Sequence, residues 1–224
     1  MSSEVRQNQI AVIDQTVQDY QTLVEGAKAE GLEVILISAE GDGFEQLAEK
    51  LTGRSDIEAL HILSHGADGQ VFLGGEVLNS DTLANYSDEL AVIQQSLSEN
   101  GDILLYGCNV AATETGVEFI GKLAQATDAD IAASDDLTGA SDKGGDWVLE
   151  QSSGNIESTS IASISFSNVL ASQFTEVSDP LVAVGAQTAA GGIREVIDID
   201  YDSDGDRDFI AYDGSAYKLY VNNG

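Results

Sequence analysis

Apolar residues along the chain fall into short runs separated by polar or helix-periodic stretches. "QIAVIDQTV" (9–17), "LEVILIS" (32–38), "IEALHILS" (57–64), "DILLYG" (102–107) and "DIAAS" (130–134) read as strands with little polar interruption. Between them lie helix-like segments over 18–30 and 115–127. "GFEQLAEKLTG" (43–53) sets Phe44, Leu47, Ala48 and Leu51 on one helical face and closes at Gly53. A longer helix is predicted from Ser80 or Asp81, either of which suits a cap, to Gly101. "QVFLGGEVL" (70–78) reads as a hairpin-like excursion, and "GDWVLEQSSGNIE" (145–157) as a closing antiparallel hairpin. Strand and helix alternate, which predicts an α/β sandwich with a mostly parallel sheet.

Past residue 160 the pattern changes. "TSIASISFSNVLASQF" is rich in serine and reads as a linker or an edge element. From 181 onward come short strands and acidic turns without a helix signal. The expected organisation is therefore an α/β domain over 1–160, a linker over 161–180 and a small all-β module over 181–224.

Charge narrows the partners. With 39 acidic against 9 basic residues the net charge is -30, which repels nucleic acid and anionic lipid. Divalent cations and a calcium-rich exterior suit such a surface, and so does a need for solubility alone. The apolar runs are too short to cross a bilayer, so no membrane insertion is expected. The start, "MSSEVRQNQI", lacks the pattern of a secretory signal, so export would use another address. A single cysteine excludes an internal disulfide, and with two histidines there is no structural zinc set.

Two residues carry candidate chemistry. His65 and Cys108 each stand at the end of an apolar run, where ligands gather in parallel sheets. They read either as a catalytic pair or as two packed residues at strand ends. A thiol with its usual pKa of about 8.5 needs a neighbouring base or imidazolium to become a nucleophile. Gly66 and Gly107 would let a substrate backbone approach, and nearby N–H groups would hold an oxyanion. His61, four residues before His65, would suggest a zinc site only on a helix with Glu after it; Ile62 stands there in a strand, and His61 reads as structural. Histidine precedes cysteine, and "YGCNVA" lacks the spaced glycines of a nucleophile elbow, which excludes the α/β-hydrolase order.

"HILSHGADGQVFLGG", "DILLYGCNVAATETG", "DIAASDDLTG" and "GGDWVLE", in that order over roughly residues 9–160, resemble an uncharacterised bacterial domain. It typically stands near the N-terminus of giant secreted adhesins and cadherin-like or calcium-repeat proteins. That domain in turn resembles the caspase, gingipain and clostripain cysteine peptidases. The resemblance implies a caspase-like α/β/α sandwich, with His65 as general acid/base and Cys108 as nucleophile. It also implies an oxyanion hole from the N–H groups of Gly66 and Cys108. "YGCNVA" departs from the small-residue signatures that flank the cysteine of well-studied caspases. Asp135 and Asp136 in "SDDLTG" would line a pocket for basic side chains, or serve only as solvated turn formers. Trp147 walls the same cleft or packs in the core. The expected substrate is a peptide or protein, including the chain itself. The rivals are an inactive adhesion or assembly module and an acyl-transfer enzyme acting on something other than peptides.

"DIDYDSDGDRDFIAYDG" supplies a second signal. Asp200, Asp202, Asp204, Gly205 and Asp208 fit D-x-D-x-D-G-x-x-D, with the Asp206 carbonyl as a further ligand. Alternate carboxylates on a tight loop surround a hard cation with oxygen, so calcium is the expected cofactor. Ala211 stands where an EF-hand needs Glu, which excludes that motif. With the trailing "YKLYVNNG", the segment resembles FG-GAP or VCBS repeats. A single blade buries little alone, so the tail would continue an array, dock on the first domain or self-associate with another copy. The combined expectation is an exported or cell-surface bacterial protein.

Overall fold

The computed structural model describes Arg6, residues 8–161 and 164–171, and the strands Phe174–Val177, Val196–Ile199, Asp208–Tyr212 and Tyr217–Asn222. The chain divides into two compact units, the first ending at Ala171 and the second running from Ser172 to Gly224.

The first unit is α/β. Its elements are β1 (Gln9–Asp14), α1 (Tyr20–Ala29), β2 (Glu33–Ile37), α2 (Gly43–Leu51), β3 (Ile57–Leu63), β4 (Gly66–Ala67), β5 (Gln70–Leu73) and β6 (Glu76–Asn79). There follow α3 (Ser87–Ser96), β7 (Leu97–Leu105), α4 (Glu114–Thr127), β8 (Asp130–Ala133) and β9 (Gln151–Ser153). The central sheet has the order β2-β1-β3-β7-β8-β9, parallel except for the antiparallel edge strand β9. The chain winds outward from β1 in both directions, so the sheet reverses its winding between β1 and β3. In open parallel sheets that reversal opens a crevice beyond the strand ends.

Strand residues alternate between two apolar layers, as the period of two demands. Ile10, Val12, Leu60, Ile62, Ile103 and Leu105 face the layer that includes Phe44, Leu47, Ile93 and Phe119 of α2, α3 and α4. Ala11, Ile13, Ala59, Leu63, Leu104 and Tyr106 face the opposite layer with Leu23 and Ala27 of α1. One helix does not cover that second face. Ile161, Ile164, Phe166 and Leu170 complete it, all buried.

This corrects the expected linker. The first unit runs on to Ala171, and Ile161, Ile164, Phe166 and Leu170 of this last segment complete one of its sheet faces. The segment is tied down where it begins. Ser158 N–H donates to Asp102 Oδ2 (2.7 Å), Arg6 donates to the carbonyls of Thr159 (3.0 Å) and Ser160 (3.2 Å), and Ile161 N–H donates to Tyr106 Oη (2.7 Å). Ile164 packs so closely on α1 that a Cβ on Gly26 would lie 2.4 Å from it.

Two other expectations change. The helix expected from residue 80 to 101 is shorter: Asn79 Oδ1 accepts the N–H groups of Asp81 and Thr82 in a turn, a 3-10 turn spans Leu83–Tyr86, and α3 ends at Ser96. Leu97 already pairs with Ile57, so the strand takes over there. The closing hairpin is a single strand, β9, against β8.

The second unit contains a four-stranded antiparallel sheet in the order β10 (Phe174–Val177), β13 (Tyr217–Asn222), β12 (Asp208–Tyr212), β11 (Val196–Ile199). It takes in Phe174–Val177, which the sequence assigned to the linker. Of the expected calcium ligands, Asp200, Asp202, Asp204 and Asp206 lie outside the described residues; Asp208 opens β12.

Candidate active site

β3 and β7 are neighbours, and Ile62 pairs with Leu105. His65 and Cys108 each follow that pair by three residues, so the two strands deliver both side chains to one edge of the sheet. Glycine lets the two connections pass closely. A Cβ on Gly107 would lie 2.9 Å from Gly66 Cα, and one on Gly66 would lie 2.8 Å from Gly107 C and 2.9 Å from Cys108 O. The two glycines therefore serve loop-to-loop contact. Asn109, next to Cys108, adopts a left-handed backbone (φ 59°) and donates its N–H to Asp136 O (2.7 Å). A non-glycine residue rarely holds that conformation, and such positions cluster at functional sites.

His65 is buried, with both ring nitrogens facing backbone carbonyls: Nδ1 is 3.4 Å from Leu170 O and Nε2 is 3.4 Å from Thr16 O. A neutral ring donates from one of these nitrogens and keeps a lone pair on the other, according to its tautomer. Asp14 supports the same corner from the end of β1. It is fully buried, accepts from Thr16 N–H and Gly74 N–H at 2.9 Å each, and lies close enough for its charge to interact with His65. Burial holds its carboxyl above the usual range. The sequence reading passed over Asp14, although an acidic residue ending an apolar strand was visible in "AVID".

Cys108 is 1% exposed. Its Sγ accepts from Thr138 N–H (3.3 Å) and donates towards Thr138 O (3.7 Å). Burial pushes the thiol up to about 11, with the N–H groups of Thr138 and Leu170 acting in the opposite direction and the charge of Asp136 adding to the rise. In this resting arrangement the thiol is protonated at neutral pH.

Leu170 stands between the two. Its N–H donates to Thr138 O (2.8 Å), its carbonyl faces His65, and its backbone lies against the Cys108 thiol. Ala140 N–H donates to Asn168 O (2.9 Å), and Val169 bridges Gly139 in antiparallel sense. Ala171 bridges Gly66 in parallel sense. Residues 168–171 thus bridge the His65–Gly66 connection and the Thr138–Ala140 loop.

The other predicted residues surround this centre. Asp136 is exposed and close enough to raise the Cys108 thiol; burial first, then the charges of Asp146 and Asp135, raise its own carboxyl. Asp135 accepts from Gln151 Nε2 (2.9 Å), and its N–H donates to Glu150 (3.0 Å). Asp135, Asp136 and Glu150 bring carboxylate oxygens within 4.8 Å of one another, and so do Asp102, Asp130 and Glu157 at the opposite end of the sheet. Both sets have the oxygen chemistry for a hard cation. Trp147 packs 6.0 Å from Tyr106 and 6.5 Å from Phe166, and walls a groove of about 730 Å³ that neither His65 nor Cys108 lines. His61 is structural, stacked on Tyr106 at 5.9 Å and bonded to Gln9 (3.3 Å) and Tyr106 Oη (3.5 Å).

A family profile described as a domain of unknown function, DUF4347, matches residues 10–177. The chain belongs to this family. The DUF4347 match includes both connections that carry His65 and Cys108 and the segment that carries Leu170. No curated protein matches the sequence.

Proposed function

We propose that this DUF4347 domain is a caspase-like cysteine peptidase that processes its own chain or the secreted surface protein it belongs to. The observation that carries this reading is that the His65 imidazole and the Cys108 thiol meet the backbone of one residue, His65 facing the carbonyl of Leu170 and the thiol its N–H. Cys108 supplies the nucleophile, and His65 moves the proton between the thiol and the departing amine. The N–H groups of Gly66 and Cys108 are the assigned oxyanion donors, and Asp136 stands beside the nucleophile. The second unit is assigned calcium through Asp200, Asp202, Asp204, Asp206 and Asp208, which fits an exported or cell-surface protein. Among the described residues β10 and β11 are the outermost strands of its sheet, and such strands suit pairing with another copy.

Denatured casein tests the peptidase assignment. The wild-type protein degrades it, and Cys108→Ala and His65→Ala do not; equal degradation by all three contradicts the assignment. Titration calorimetry tests the loop. Calcium binds the wild-type chain and binds Asp202→Ala/Asp204→Ala at least tenfold more weakly, and an unchanged isotherm contradicts the ligand set.

The inactive adhesion or assembly module is the second reading. The observation that favours it is the buried, protonated Cys108 bonded to Thr138.

A further inference from the structure

We infer that the bond this domain cuts is its own Leu170–Ala171 bond, and that its substrates are extended peptides with leucine on the acyl side of that bond. The inference rests on the cysteine peptidase reading and specifies its substrate.

The first ground is the mode of binding. Leu170 helps to cover the sheet with Ile161, Ile164 and Phe166, but the backbone of residues 168–171 also makes main-chain contacts beyond it. These residues run extended through the crevice, with Asn168 O on Ala140 N–H and Leu170 N–H on Thr138 O. Main-chain pairing of this kind is how a peptide adds as a strand to a receptor, with pockets for alternate side chains giving selectivity. The second ground is register. Of the carbonyls in this stretch, that of Leu170 faces His65 at 3.4 Å, and the N–H beside the thiol, that of the same residue, belongs to the peptide group just before it. The third ground is the pocket. The Leu170 side chain is fully buried in an apolar cluster that includes Tyr106, Val17 and Cys108 itself. Such a pocket accepts a leucine and rejects a charge.

The chemistry balances with one water. Once Sγ leaves Thr138 and its proton passes to His65, the sulfur bonds to the Leu170 carbonyl carbon. The Leu170–Ala171 C–N bond breaks, and His65 returns the proton to the Ala171 nitrogen. Water then hydrolyses the thioester, restoring the thiol and leaving Leu170 as a new carboxyl terminus. Ala171 is the last residue of the first unit, so the cut parts the two units in the chain.

The full chain, wild-type and Cys108→Ala, is incubated with calcium and read by intact mass and N-terminal sequencing, with casein degradation measured in parallel. The expected products are one piece ending at Leu170 and one beginning at Ala171, absent from Cys108→Ala. Leu170→Met, which conserves volume, is cut at the same bond within about threefold of the wild-type rate, and Leu170→Ala, which empties the pocket, slows the cut at least about tenfold; equal rates for the two variants would contradict the pocket. Cys108-dependent cleavage at another bond overturns the inference and leaves the peptidase reading standing. So does casein degradation by a chain that stays intact. No Cys108-dependent cleavage of either kind overturns both.

Discussion

The Nδ1 atom of His65 lies 3.4 Å from the carbonyl oxygen of Leu170, 105 positions later in the chain. Two bonds of this length to carbonyls contribute about 1 kcal/mol to folding, whereas a positioned acid/base contributes about 10²–10⁴ in rate. His65→Ala is therefore expected to leave the melting temperature within a few degrees of wild type and to slow self-cleavage at least about 100-fold. Calorimetry and a cleavage time course separate the two effects. A variant that melts far below wild type yet cleaves at the wild-type rate while folded would make His65 a structural residue.

Cys108 gives a stability signature. Its thiol is pushed up to about 11 in the folded chain, chiefly through burial. Above pH 9 the unfolded chain releases this proton while the folded one keeps it. The contribution is intact below pH 9 and is lost as pH climbs towards about 11, by about 2–3 kcal/mol in total. Urea unfolding between pH 8 and 11 should show this decline in the wild type and a shallower one in Cys108→Ala. Parallel profiles would place the thiol in water.

The sequence made the sheet legible because β1, β3, β7 and β8 are buried on both faces and appear as almost unbroken apolar runs. The ends of those runs also marked His65 and Cys108. The segment 161–171 was harder to read. Serine at 163, 165 and 167 alternates with Ile164 and Phe166, a strand-like period that covers one face and leaves the other polar. Its serine content resembles a linker, and its role shows only in the structure, where α1 alone among the described helices packs on that face. Trp147 was ambiguous because a lone aromatic serves a cleft and a core equally well; its contacts with Tyr106 and Phe166 place it in the packed layer on that face.

His61 sets the acid limit. Burial, with help from Arg6, lowers it from 6.5 to about 3, so it stays neutral when folded, accepting from Tyr106 Oη and donating to Gln9. Unfolding at acid pH lets it bind a proton. Stability from this group is complete above pH 6.5 and falls as pH drops through the window towards 3, by about 1.4 kcal/mol per unit. His61→Gln should flatten that limb in urea titrations between pH 3 and 7. An unchanged acid limb would mean the ring is hydrated when folded.

Gly66→Ala tests the crossing of the two connections. The new Cβ would meet Val110 Cγ2 at 2.6 Å, Gly107 C at 2.8 Å and Cys108 O at 2.9 Å. Two of these neighbours are backbone and cannot rotate away. A loss of about 1–3 kcal/mol is expected, together with slower cleavage as Cys108 shifts. Wild-type stability in chemical denaturation would show that the connections are farther apart.

The sharpest test is the N-terminal sequence of whatever the purified protein releases on incubation, beside Cys108→Ala and His65→Ala. The account predicts a new terminus at Ala171 from the wild type alone. The same terminus from Cys108→Ala, or a wild-type chain that stays whole and leaves casein whole, would contradict it.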